Sequence, residues 1–220
     1  MLRTALKYGL LVWMMAVIAA AFLYAPLARR LFEMTRIIYF HLPVAWITCV
    51  AFGLSAWWSL VYLRTRDLRA DARAAIWAEL GLVACVLATI TGSIFAKGMW
   101  GSYWNWDPRE TSIFLLLLIY AAYVTLRTTL DDEERRASLS ASYSVIAVVT
   151  VPFLVFIVPR IYFSLHPDPL INTQGKRFME ARMYQVVMAS FAGFMALFWW
   201  MYRIHLRMAL ARLRAPGEGA

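Results

Sequence analysis

Charge is scarce in this chain. Only 16% of its 220 residues are Asp, Glu, Lys or Arg against 62% hydrophobic, with a mean hydropathy of +0.61; a soluble domain carries about 25% charged residues. Residues 8–28, 37–63, 80–96, 111–126, 137–159 and 183–202 contain none of the four. What remains is short connections and two tails, which excludes a soluble domain with its own core. Cysteine is nearly absent, and Cys49 and Cys85 both fall inside uncharged stretches. That excludes a disulfide framework and a CxxC redox or zinc motif, and leaves both as packing residues. No HExxH pair is present to suggest zinc.

A bilayer core of about 30 Å needs roughly 20 helical residues, and four of the six stretches reach that unaided. The third reaches it by extending back to Ala74 past Glu79, the fourth by extending to Leu130 past Arg127. Each charge then sits near a surface, to snorkel or to face protein. No stretch alternates with period two, which excludes a membrane barrel. The expected fold is an all-α integral membrane protein with six transmembrane helices, one domain over 1–220. Met1–Ala25 has the basic start of a signal sequence, but its apolar run is too long for one and reads as an uncleaved first helix.

Six spans put both tails on one side, and the larger share of Lys and Arg lies on that side, so both termini are expected in the cytoplasm. The acid–base run Asp131–Arg136 reads as a solvated inner turn. The outer side still carries Arg29, Arg30, Arg36, Lys97, Arg109, Arg160, Lys176, Arg177 and Arg182, more than the outer acids Glu33, Asp107, Glu110, Asp168 and Glu180. Lipid headgroups or an anionic ligand would account for the excess. The net charge of +9 forms no stripe, which excludes nucleic acid as a partner.

Between the third and fourth spans, at about 97–111, the loop contains Trp100, Tyr103, Trp104 and Trp106. So many rings in one loop exceed an interfacial belt, and they suit a flat surface that stacks on a planar ligand. Pro108 fits the first position of a helix, with Asp107 as N-cap and Glu110 closing a capping box. Asp107 is thereby expected to aim the tryptophans without touching the ligand. Arg109 sits against the helix dipole, where an anionic ligand group would pair with it.

Two of the three histidines share the outer side with this loop. His41 precedes Pro43, which disfavours helix at Leu42 and places the start of the second helix there, with His41 at the membrane surface. His166 follows the fifth span in a second outer loop, about 160–182. His205 falls among inner arginines, as a helix-end cation. Two imidazoles, an aromatic surface and surplus arginines suit iron porphyrin, with His on iron and Arg on the propionates.

The run Trp100-Gly-Ser-Tyr-Trp-Asn-Trp-Asp-Pro-Arg109 resembles the tryptophan-rich WWD signature of haem-handling proteins in cytochrome c maturation. Arg36-Ile-Ile-Tyr-Phe-His-Leu-Pro43 and the later Ser-Leu-His166 resemble the two histidine segments of the haem exporter protein C (CcmC) family. The resemblance implies His41 and His166 as axial ligands of non-covalent haem b in transit, and Trp100, Trp104 and Trp106 as its platform. Tyr103 stands where the family often has Trp; Asp107, Arg36 and Arg109 complete the surroundings. It further implies an outer, periplasmic site in a bacterial inner membrane and delivery to a CcmE-like haem chaperone, without classical catalysis. CcmA-, CcmB- and CcmD-like transporter subunits would stand beside it. Asp107-Pro-Arg-Glu-Thr111 is also similar to the CcsA-type cytochrome c synthases, which are longer. A bis-His membrane cytochrome carrying electrons and a purely structural transporter subunit are the other readings.

Overall fold

The computed structural model describes residues 2–29, 31–166 and 179–214; Arg30, Asp168, Lys176, Arg177 and most of the loop expected at about 160–182 lie outside them. The described residues form helices without a strand: α1 (Leu2–Leu23), α2 (Thr35–Thr65), α3 (Leu68–Trp100), α4 (Pro108–Thr128), α5 (Glu133–Ala147), α6 (Thr150–Pro152), α7 (Val158–Ile161) and α8 (Ala181–Arg212). A π-helical turn, Phe153–Ile157, joins α6 to α7, so that α5 to α7 make one interrupted span. Six segments are long and apolar enough to cross a membrane.

Several helices outrun their uncharged stretches. α3 has 33 residues, about 50 Å at 1.5 Å per residue. Hydropathy marks where a helix meets lipid, and backbone hydrogen bonding carries it onward into water. The Asp67 side chain caps the start of α3 by accepting from the Arg69 N–H. Its first turns contain Asp71, whose carboxylate takes a bidentate pair from Arg127 of α4 at 2.7 and 2.8 Å. Arg127 therefore faces protein, one of the two options open to it. The run 131–136 is no free turn: Asp132 caps α5 through the Arg135 N–H, and the helix begins at Glu133.

α2 and α3 lie antiparallel as the central pair, with α5, α4 and α8 against them. Tyr39, Phe52, Tyr62, Leu80, Leu116, Tyr120 and Tyr123 are fully buried there. α1 is peripheral, exposing Leu6, Leu11, Met15 and Phe22, and is fastened to α8 by Trp13 Nε1–H donating to the Ala189 carbonyl at 2.9 Å.

Pro43 corrects an expectation. α2 begins at Thr35, and Pro43 lies inside it. A proline there removes the N–H that would reach the carbonyl four residues back, Tyr39. The Ser190 hydroxyl of α8 donates to that carbonyl instead, as neighbouring hydroxyls do in proline-containing membrane helices. His41 thus projects from a helix interior and does not flank a helix end.

Candidate functional site

Where the start of α2, the end of α3 and the start of α4 meet, beside the π-helical turn and α7, is a cavity of about 350 Å³, a size ordinary for small-molecule sites (roughly 300–1,000 Å³). Its walls include Ile38, Leu42, Trp46, Phe95, Leu154 and Phe156, with His41, Trp104, Arg109, Glu110, Arg160 and His166 as the groups that bear chemistry. The lining runs down α2 from Ile37 to Cys49, about 18 Å along the helix axis. Cys85 is buried in the core, whereas Cys49 is part of this wall. π-helical turns recur at functional sites, and Leu154, Val155 and Phe156 of this one face the cavity.

Both rings are held by one nitrogen. His166 Nδ1 lies 2.9 Å from Asp107 Oδ1; an ionised carboxylate only accepts, so Nδ1 carries the hydrogen and Nε2 is the bare donor atom. His41 Nδ1 lies 2.9 Å from the Thr91 hydroxyl.

Asp107 caps α4 as the sequence implied: it accepts from the Arg109 N–H at 2.9 Å, and Glu110 completes the capping box. Yet its carboxylate does more. It also accepts from the Leu165 N–H at 2.7 Å and from the Ser164 hydroxyl on both oxygens, so it ties the His166 segment to the aromatic loop. It does not merely aim tryptophans. Burial raises its pKa, but the N–H groups of Arg109 and Leu165, the His166 charge and the Ser164 hydroxyl outweigh that and hold it below its ordinary value. His166 is pushed below its ordinary value chiefly by burial, with Arg109 adding to the effect and Asp107 opposing it.

The aromatic loop is not a flat shelf. Trp104 lines the cavity and meets Trp106 at 89° and Phe114 at 75°. Trp100, the last residue of α3, points its ring at His166, 4.9 Å between centroids. Tyr103 and Trp106 are 61% and 70% exposed. Gly101, φ +79°, ends α3, and Trp106 holds φ +56°, unusual for a bulky residue. Glu110 pins this turn: its Oε2 accepts from the Asn105 N–H at 2.7 Å and from the Asp107 N–H at 3.4 Å.

Arg36 does not join the described cavity lining. Its guanidinium pairs with Glu33 at 2.7 Å and donates to the Ala21 and Phe22 carbonyls at 2.8 and 3.0 Å, satisfying the last carbonyls of α1. Arg160, Thr91 and Glu110 take part in the site without having been singled out for it. Arg160 had a signal, since it follows Pro159 at the end of a span; Thr91 had none.

The chain matches the family described as Heme exporter protein C over residues 1–218. It is 28% identical to the Heme exporter protein C of Bradyrhizobium diazoefficiens over 81% of this chain and 68% of that one. With that of Rhodobacter capsulatus it shares 28% identity over 80% and 73%. With that of Haemophilus influenzae it shares 27% over 80% and 72%.

Proposed function

The chain belongs to the Heme exporter protein C family, and from that premise we propose that it binds haem at the periplasmic end of its membrane bundle and hands it to a chaperone during cytochrome c maturation. The observation that carries the reading is the pair of imidazoles lining one cavity, His41 and His166, each with Nδ1 against a protein partner. Metal-bound histidines are typically held this way by their other nitrogen.

The residues present fit haem b, bound without a covalent link. His41 and His166 would take the two axial positions, an arrangement of the kind haem iron accepts from protein side chains. The apolar lining, Trp104 included, would hold the ring, and Trp100 braces His166. Arg109 and Arg160 supply positive charge for the propionates. Asp107 keeps the His166 lone pair directed inward. Tyr103 and Trp106, turned outward, are free to meet the acceptor or the headgroups. The protein's work is binding, orientation and release, without classical catalysis; the histidine–iron bonds would form on loading and break on handover. Both termini are cytoplasmic in this reading, the membrane is the bacterial inner one, the acceptor is CcmE-like, and CcmA-, CcmB- and CcmD-like subunits are the neighbours.

One observation favours a second reading. His41 issues from a helix interior, as ligands of electron-carrying b-type cytochromes do. Incubating haem-loaded protein in nanodiscs with a soluble haem chaperone separates the two. Delivery requires haem to leave with the chaperone; haem that stays in place and is rapidly and reversibly reduced by quinol would assign the chain to electron transfer.

A further inference from the structure

We propose that Thr91 is the positioning residue that fixes the tautomer and direction of His41, with Gly92 as the space the ring needs; this deepens the haem-binding reading and rests on it. The Thr91 hydroxyl oxygen is 2.9 Å from His41 Nδ1, 2.7 Å from the Leu87 carbonyl and 3.3 Å from that of Ala88. A hydroxyl has one proton and a carbonyl has none to give. The contacts to Nδ1 and to Leu87 are both hydrogen bonds only if Nδ1–H donates to the hydroxyl and the hydroxyl donates to the carbonyl. Thr91 thereby sets Nε2 as the bare atom. Thr89, one turn fraction away, makes only the ordinary bond to its own helix, at 2.8 Å to the Cys85 carbonyl.

Gly92 completes the seat. A Cβ there would stand 3.2 Å from His41 Cε1 and 3.8 Å from Nδ1, tight enough to tilt the ring about the Thr91 bond and swing Nε2. His41 is therefore held by a neutral acceptor and a close-fitting helix backbone, while His166 is held by a carboxylate on a loop. The two ligands are unequal by construction.

The test uses the full chain in nanodiscs as wild type, Thr91→Val, Thr91→Ser and Gly92→Ala, titrated with ferric haem and examined by electron paramagnetic resonance. Thr91→Val should weaken haem binding about 10- to 100-fold, the cost of losing a partner to a metal-bound histidine, and change the low-spin g-values. Thr91→Ser should restore both. Gly92→Ala should alter the g-values in a protein that still elutes as a folded species. Thr91→Val binding within twofold of wild type with the same g-values would overturn the proposal, as would a Thr91→Ser protein as weak as the valine variant. A wild type without a bis-His signal would instead overturn the haem-binding reading itself, before any variant is compared.

Discussion

Asp107→Asn tests how much of the site hangs on one carboxylate. Four donors converge on its two oxygens: the N–H groups of Arg109 and Leu165, the Ser164 hydroxyl and His166 Nδ1, and the side chain is 1% exposed. An amide has one acceptor oxygen. If that oxygen stays toward Arg109 and His166, the new NH₂ confronts the Leu165 N–H; if it flips, the NH₂ confronts the Arg109 N–H and His166 Nδ1–H. Ser164 can turn to accept, but at least one buried N–H is left without a partner, about 1–3 kcal/mol of folding stability. In the second arrangement His166 escapes by moving its hydrogen to Nε2, which removes the lone pair from the cavity. Haem affinity should then fall about 10- to 100-fold, roughly 1.4–2.7 kcal/mol. Thermal unfolding without haem and an absorbance titration with it measure the two losses separately. Asn is as good an N-cap as Asp, so helix fraying does not confuse the result. Affinity within twofold of wild type, with unfolding shifted by only a few tenths of a kcal/mol, would refute the role given to Asp107.

Ser190→Ala should destabilise by about 1–3 kcal/mol, because the Tyr39 carbonyl at Pro43 loses its donor; Pro43→Ala restores an N–H to that carbonyl, so the double variant should lose much less than Ser190→Ala alone, and additive losses in a double-mutant cycle would contradict the explanation. Asp107 is held below its ordinary pKa of 3.8 in the folded protein. Its stabilisation is therefore complete above that value and lost as pH falls through the lower folded one. Haem-free wild type should lose more stability than Asp107→Asn between pH 5 and strongly acid solution, and parallel acid limbs would contradict this.

The crossings were legible because lipid contact imposes a composition, and the capping box around Pro108 because it is written within four consecutive residues. Tertiary partners were not legible. Pro43 reads as a helix start until Ser190, on another helix, supplies the missing donor. The Asp107–His166 pair joins residues 59 positions apart, so a local reading yields the cap and the histidine separately but not the bond between them. Arg36 was placed near the ligand for its charge and its motif, but the nearby end of α1 offered carbonyls that claimed it. A cluster of indoles signals an aromatic surface without giving the ring angles or the positive φ at Trp106.

The most direct measurement is the low-temperature resonance and absorption spectrum of the purified protein loaded with ferric haem, beside His41→Ala and His166→Ala. A low-spin bis-histidine signal is expected in the wild type, abolished by each single substitution while the protein remains folded in the membrane. A high-spin wild type, or a low-spin signal that survives either substitution, would contradict the claim that these two imidazoles grip one haem.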